Sequence, residues 1–181
     1  MQKETVGLGL EASSYREGMH TDEPRWLDAE EQQTWLAMVS MLVSLPAALD
    51  AQLQRDAGIS HFEYQVLAGL SMSPDRTLRM RDLADFAEAS LSRLSHTAKR
   101  LETKGWLTRT PDPADGRSTL AILTDAGWDK VVATAPGHVA EVRRLVIDPL
   151  TKTQAKQLRE ISHRVNDAIN PHRTCPPMLN P

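Results

Sequence analysis

The segment that most constrains the fold is an amphipathic helix that leads directly into a turn-rich hairpin, within residues 90–124. Ser90 is the predicted N-cap, since its hydroxyl can accept a hydrogen bond from a free amide of the first turn. Gly105 is the predicted C′ residue, which ends the helix after Lys104. The apolar side chains recur every three or four positions and share one helical stripe, which consists of Leu91, Leu94, Ala98 and Leu101. This stripe is expected to face a core.

The opposite face of this helix is polar and carries no acid before Glu102. It consists of Ser92, Arg93, Ser95, His96, Lys99 and Arg100. An ordinary solvated helix face mixes charges of both signs, whereas this face places short donors between long cations. Such a surface can approach the edges of bases closely. The helix alone therefore leaves two interpretations open, a helix that reads DNA and a solvated surface.

The hairpin that follows has predicted strands at residues 106–110 and 118–123, joined by the turn formers of residues 111–116. A hairpin of this length is marginally stable alone, so it must rest on helices. Its tip contains Asp115 and Arg117. Asp115 could simply close a polar turn by accepting backbone amides, or it could hold Arg117 for insertion into a minor groove. Arginine is favoured in a narrow minor groove because negative potential is concentrated there.

Residues 115–124, with the sequence DGRSTLAILT, resemble the wing signature D-x-R-x-x-x-x-x-L-T of the MarR family of winged helix-turn-helix transcriptional regulators. Residues 92–102 and the exit at 104–106 resemble that family's recognition helix, and the similarity covers roughly residues 26–168. The resemblance implies a mainly α fold with a small β-hairpin wing. It also implies a homodimer that binds a pseudo-palindromic operator in double-stranded DNA, usually as a repressor that a small-molecule effector releases.

The same resemblance implies which residues touch DNA and where an effector binds. Major-groove contacts fall on Ser92, Arg93, Ser95 and His96, phosphate contacts on Ser90, Lys99, Arg100 and Arg109, and the wing contact with the minor groove on Asp115 and Arg117. An effector pocket between the dimerisation helices and the reading domain would involve Trp35, Met38, His61 and Tyr64, each of which can also be a core or staple residue. Relatives often carry another residue at the position of His96, so the resemblance implies no preferred base.

The charge of the chain is unevenly divided. The net charge is −3, which alone would disfavour a DNA-binding protein. Residues 74–120 nevertheless hold nine Lys/Arg against seven Asp/Glu, a local charge of +2, which leaves −5 for the remainder. A positive face on an acidic body fits specific DNA binding better than general polyanion binding.

Local signals predict a long first helix at about residues 26–56, kinked at Pro46 and ended by Gly58. A second helix should run through residue 70. Its start is a predicted capping box of Ser60 with Glu63, and Ile59 and Tyr64 have the spacing of a hydrophobic staple. Residues 74–80 are predicted as a loop or short strand, and residues 81–87 as a third helix. The third helix and the reading helix together match a helix-turn-helix arrangement.

After the wing, a fifth helix is predicted to begin at Thr124 and to bend or break at Pro136-Gly137. Asp148-Pro149 should interrupt the chain, and a second capping box, Thr151 with Gln154, should open the last helix. The predicted segments are a polar N-terminal arm (1–24), a dimerisation helix (25–57), the winged helix-turn-helix domain (58–124), C-terminal dimerisation helices (125–170) and a disordered proline-rich tail (171–181). The terminal helices carry more apolar surface than one small core can cover, which favours a dimer over packing on their own domain alone.

Other classes are less favoured. Residues 35–49 lack charge, but this run of 15 residues is shorter than the ~20 that a membrane span needs, so a buried helix is expected. The first 25 residues have no apolar core, which argues against a signal peptide and for a cytoplasmic location. The lone Cys175 excludes an internal disulfide and a Cys-based zinc site, and no cofactor or metal is expected. A P-loop, G-x-S-x-G, H-E-x-x-H or C-x-x-C motif does not occur. An enzyme and a winged helix used for protein contacts remain the alternatives.

Overall fold

A computed structural model describes residues 24–171. The described residues divide into two compact units, residues 24–37 and residues 38–171. Nearly all of the predicted N-terminal arm and of the proline-rich tail, Cys175 included, falls outside the described residues. In chain order the elements are α1 (Ala29–Ala57), α2 (His61–Ser71), β1 (Thr77–Arg79), α3 (Met80–Phe86), α4 (Leu91–Thr103), β2 (Leu107–Asp112), β3 (Asp115–Leu123), α5 (Asp125–Val142) and α6 (Lys152–Ile169).

The first helix begins later than its apolar pattern predicts. In the N-terminal unit, Asp28 Oδ1 accepts the amides of Glu30 and Glu31, each at 2.9 Å. The Glu31 carboxylate in turn accepts the Asp28 amide at 3.0 Å. These reciprocal bonds form a capping box, which fixes the start of α1 at Ala29. The predicted end is confirmed, since Gly58 follows the helix with φ of +64°, a conformation that favours glycine.

The start of α2 is as the sequence predicts. The Ser60 hydroxyl accepts the Glu63 amide at 3.1 Å, and the Glu63 carboxylate accepts the Ser60 amide at 2.9 Å. Ile59 and Tyr64 are buried together against Leu53 near the end of α1. The capping box and the hydrophobic staple are both confirmed, and they join α1 to α2.

The three strands form one antiparallel sheet in the order β1-β3-β2. The predicted hairpin is confirmed as β2 and β3, but both strands extend further towards the tip, leaving only Pro113 and Ala114 between them. The pairing is irregular between Pro111 and Asp112. Residues 74–80 hold a short 3₁₀ turn and then β1, which pairs with β3 along the edge opposite β2.

One main core lies beneath this sheet and joins it to the helices. Helices α2, α3, α4 and α5 all contribute, and its larger members are Val66, Leu67, Leu70, Met80, Leu83, Leu94, Leu101, Leu107, Leu123 and Val131. The core therefore fixes α4 relative to the β2–β3 hairpin, the two pieces that the sequence singles out.

Of the two outcomes predicted for the fifth helix at Pro136-Gly137, a bend or a break, the break does not occur. Helix α5 continues through Pro136 to Val142 and then widens into a π-helical turn, Arg143–Ile147. Proline removes one donor to the carbonyl four residues earlier, but Pro136 and Val132 are both exposed, so water can replace that donor. The predicted interruption at Asp148-Pro149 is confirmed, and α6 opens with the predicted capping box.

The apolar middle of α1 is exposed, contrary to the expectation of a buried helix. Met41, Leu42 and Val43 expose 45%, 59% and 68% of their surface, and the buried residues of α1 all fall between residues 49 and 53. By length and composition alone, α1 could also cross a membrane. Helix α6 behaves similarly, since none of its described residues is buried. The single chain thus leaves apolar faces on α1 and α6 uncovered.

Candidate nucleic-acid interface

Helix α4 presents the predicted polar face to solvent. The Ser90 hydroxyl accepts the Arg93 amide at 3.2 Å, which confirms the N-cap. Gly105 has φ of +73° and ends the helix as predicted. The buried residues of α4 are Leu94, Thr97, Ala98 and Leu101. The exposed residues include Ser92, Arg93, His96, Lys99 and Arg100, and Ser95 is half-buried.

The prediction that Leu91 belongs to the buried stripe is wrong. Its side chain is 52% exposed, whereas Thr97 is only 2% exposed. Leu91 instead lines a surface groove between the start of α4 and the wing. Spacing places a residue on a helical face, but it does not show how far the neighbouring core extends along that face.

This basic groove has a volume of about 310 Å³ and brings together four arginines from three parts of the chain. Arg79 and Arg81 flank the start of α3, Arg109 lies on β2, and Arg117 lies at the wing. The α4 residues Leu91 and Ser95 also line the groove. Sequence reasoning assigned Arg109 and Arg117 but missed Arg79 and Arg81. Both residues lie in the locally positive segment 74–120, but no sequence motif identifies them as part of a site.

Two of the four arginines already have carboxylate partners. Arg79 Nε lies 2.9 Å from Asp112 Oδ2, and Arg109 donates to Glu102 from Nη2 at 2.8 Å and from Nε at 3.2 Å. The Ala114 amide and then the Arg79 guanidinium lower the pKa of Asp112 below its ordinary value. Hydrogen bonds from Arg109 likewise lower the pKa of Glu102.

The other two arginines of the groove keep their charge available. Among residues 24–171, neither Arg81 nor Arg117 makes a salt bridge. Both residues are exposed. Their guanidinium groups are therefore free to neutralise an anion in or beside the groove.

Asp115 organises the backbone of the wing. Its Oδ1 accepts the Arg117 amide at 3.1 Å, and its Oδ2 accepts the Ser118 hydroxyl at 2.8 Å. The structure therefore shows the polar-turn role for Asp115, which sets the direction of the chain at Arg117.

The first turn of α2 supports α4 at two points. The Arg93 guanidinium carbon lies 4.0 Å from the ring centre of Phe62. Further along α4, Arg100 Nε and Lys104 Nζ lie 3.4 and 3.5 Å from Glu63 Oε1. Burial alone would raise the pKa of Glu63, but the Ser60 amide and the two cations together lower it. Arg100, a predicted phosphate contact, is 58% exposed and remains accessible.

Two of the four predicted effector residues lie in one cluster. The Tyr64 and His138 ring centres are 4.6 Å apart, and those of His61 and His138 are 6.0 Å apart. Trp35, in the N-terminal unit, is about half exposed, and Met38 is half-buried on α1. Sequence reasoning missed His138 because it is far from the other two residues along the chain.

This histidine cluster contains unsatisfied polar atoms. His138 Nδ1 and Gln52 Oε1 are buried without a hydrogen-bond partner among the described residues. Burial lowers the pKa of His61, with a smaller opposing effect from Asp50, and burial followed by the proximity of His61 lowers the pKa of His138. No group of three or more metal-ligating side chains occurs within residues 24–171.

The helix pair α3–α4, the β2–β3 wing and the basic groove between them define a winged helix-turn-helix DNA-binding protein. Residues 57–118 match the model of the MarR family. Sco3205, a MarR family transcriptional regulator from Streptomyces coelicolor solved in complex with DNA, is 48% identical, with a TM-score of 0.80 over 84% of this chain and 95% of that one. AbsC, a MarR family transcriptional regulator from the same organism, is 32% identical, with a TM-score of 0.78 over 82% of this chain and 100% of that one. The chain therefore belongs to the MarR family of transcriptional regulators.

A shorter match agrees with this assignment. The HTH-type transcriptional regulator YdcH of Bacillus subtilis is 29% identical over 80 residues, which make up 43% of this chain. The match spans about half of that relative, 54% of its length. These relatives are regulators of transcription and not enzymes.

Proposed function

We propose that this chain is a homodimeric repressor that binds a pseudo-palindromic operator in the cytoplasm and is released by a small-molecule effector. The observation that carries the proposal is the convergence of α4 and the wing on one basic groove, where Arg81 and Arg117 make no salt bridge within the described chain. The solved complex of Sco3205 with DNA supports the same use of the fold.

In this proposal α4 enters the major groove and the wing reaches the adjacent minor groove. Arg117 enters the minor groove, from a backbone position that Asp115 fixes. Base contacts come from Ser92, Arg93, Ser95 and His96, and phosphate contacts from Ser90, Lys99, Arg100 and Arg109. To these we add Arg81 as a phosphate contact, because it is exposed in the same groove. Arg109 can contribute only through the donors that Glu102 leaves free.

The dimer follows from the uncovered apolar faces of the terminal helices. Ile161, Val165 and Ile169 on α6 are 57%, 39% and 65% exposed. An apolar groove of about 420 Å³ also lies between the second half of α1 and the segment that leads into α6, with Met41 and Leu158 among its lining residues. A second copy of the chain can cover these faces. A two-fold dimer would then set the two reading helices about one DNA turn apart, roughly 34 Å.

The proposed effector site is the histidine cluster at the junction of α1, α2 and α5. Tyr64, His61 and His138 are in contact there, and two buried polar atoms lack partners among the described residues. We keep Trp35 and Met38 as further candidates on α1. Release needs only a difference of about 1–3 kcal/mol between two dimer geometries, the usual size of allosteric coupling.

The proposal is tested by selecting duplexes from a random library with the purified full chain at moderate salt. We expect an enriched inverted repeat with half-sites about one turn apart, and an affinity that falls steeply as salt is raised. Sedimentation of the complex should give two chains per duplex. Weak, salt-sensitive binding without enrichment would instead indicate that the winged helix serves a partner other than a specific operator.

A further inference from the structure

We propose that Phe62 positions Arg93 for reading a base, so that a residue of α2 contributes to sequence preference without touching DNA. The inference rests on the proposed function, in which Arg93 contacts a base edge. It identifies a positioning residue outside the recognition helix.

The contact between the two residues is close and specific. The Arg93 guanidinium carbon lies 4.0 Å from the ring centre of Phe62, well inside the ~6 Å limit of a cation–π interaction. Arg93 lies in the first turn of α4, where its amide donates to Ser90. Long side chains in a helix point back towards its N-terminus, which brings this guanidinium to α2. Within the described chain Arg93 makes no salt bridge, unlike Arg100 on the same helix.

The Phe62 ring is itself held firmly. Phe62 is half-buried and packs against the main core. On either side of it, the His61 amide donates to Asp50 at 2.7 Å and Glu63 closes the capping box with Ser60. The ring therefore provides a fixed surface for a side chain that otherwise has many rotamers.

A guanidinium that rests on an aromatic face keeps its in-plane N–H groups free. Those donors are the ones that bind guanine O6 and N7 as a bidentate pair. Holding the group before DNA arrives reduces the side-chain entropy that would be lost on binding. The Phe62 ring thus increases both the affinity for DNA and the preference for one base, because it holds the Arg93 guanidinium in the orientation that binds.

The test measures binding to the selected duplex, and to duplexes changed at each base pair of one half-site. The proteins are wild type, Phe62→Leu, Phe62→Tyr, Arg93→Ala and the double variant Phe62→Leu with Arg93→Ala. We expect Phe62→Leu to weaken binding about two- to fivefold, the size of an exposed cation–π contact, and to flatten the preference at the base pair that Arg93 reads. Phe62→Tyr keeps the ring and should behave as wild type. In the Arg93→Ala background, Phe62→Leu should have no further effect.

The matched control is Phe86→Leu, since Phe86 on α3 packs against the same core. It should alter stability without changing base preference. Tighter binding by Phe62→Leu would show that the ring keeps Arg93 away from DNA. An equal loss of affinity on Phe62→Leu with and without Arg93 would show that the ring acts only by packing against the core. Either result overturns the inference. If Arg93→Ala leaves affinity and preference unchanged, the base contact itself fails, whatever Phe62 does.

Discussion

Glu63, in the first turn of α2, and Arg100, on the recognition helix, are joined by a contact of 3.4 Å between Oε1 and Nε. The Glu63 side chain is only 7% exposed, and Lys104 approaches the same oxygen at 3.5 Å. The other Glu63 oxygen accepts the Ser60 amide. One carboxylate therefore caps the second helix and restrains the outward face of the fourth.

We expect Glu63→Gln to lower the free energy of unfolding by about 1 kcal/mol, because the amide can still cap α2 but loses the charge-assisted contacts. Glu63→Ala also loses the cap and should cost about 1 kcal/mol more. Urea unfolding measures both. Glu160→Gln is the control, since its partner Lys156 lies 3.8 Å away on an exposed helix face and such pairs contribute little. Equal losses in Glu63→Gln and Glu160→Gln would contradict the role of Glu63.

The histidine cluster predicts a loss of stability in mild acid. The pKa values of His61 and His138 are lowered in the folded protein. The unfolded chain therefore binds more protons than the folded chain below pH about 6.5, the ordinary histidine value. Stability should be full above that pH and should fall as the pH drops through 6.5 towards the folded-state values. Urea midpoints at a series of pH values measure this.

Two variants, compared by the same urea midpoints over pH, test whether the histidine cluster causes this decline in stability. His138→Leu should flatten the decline below pH 6.5, whereas Phe86→Leu, which changes the main core outside the cluster, should leave its steepness unchanged. If stability declines with equal steepness in both variants, the histidine cluster is not the cause of the decline.

Gly127 predicts a strong intolerance to any side chain. A Cβ at this position would collide with the Trp106 carbonyl oxygen, a backbone atom. Gly127→Ala should therefore force the wing and α5 apart, at a cost of about 1–3 kcal/mol or more. Gly116 offers the comparison, because no described atom lies within 4 Å of a Cβ placed there. Thermal unfolding should show a large decrease for Gly127→Ala and little change for Gly116→Ala.

The basic groove predicts separate effects of its free arginines on DNA binding. Arg81→Ala should weaken binding to all duplexes alike and reduce the salt slope by about one, as expected for a phosphate contact. Arg117→Ala should weaken binding most on duplexes with a narrow minor groove. Arg159→Ala on α6 removes the same charge outside the groove and serves as the control. A salt slope that falls equally in Arg159→Ala and Arg81→Ala would refute the phosphate contact.

The exposed stripe of α6 predicts a variant that folds but does not dimerise. Val165→Glu places a charge among Ile161 and Ile169, which should dissociate the proposed dimer and raise the operator Kd by at least tenfold. His163→Glu introduces the same charge on the opposite side of α6 and should leave the dimer intact. Sedimentation velocity measures the association state. A dimer that persists in Val165→Glu would exclude the α6 stripe from the interface.

The features that the sequence could predict are those that depend on interactions between residues close together in the chain. The capping boxes at Ser60 and Thr151, the N-cap at Ser90 and the glycine at 105 each depend on residues a few positions apart, and each is confirmed. The hairpin was predictable for the same reason. Each of these signals combines a preferred side chain with a backbone geometry that few others satisfy.

The features that the sequence could not reveal depend on distant neighbours. Leu91 has the spacing of a core residue, yet the core does not cover it. Arg79 and Arg81 line the basic groove only because α3 begins beside the wing. Tyr64 contacts His138 because α5 continues past Pro136. The helix-breaking tendency of proline had predicted a possible break there.

The pairing of Arg79 with Asp112 and of Arg109 with Glu102 bears on how the regulator searches a genome. Each pair neutralises one arginine of the groove with a carboxylate of the protein itself, so fewer counterions should be displaced when the protein meets random DNA. In the proposed function, the protein should therefore stay only briefly at wrong sites and spend more of its time moving between them. A tighter but slower regulator could arise by losing Glu102, without the gain of any new cation.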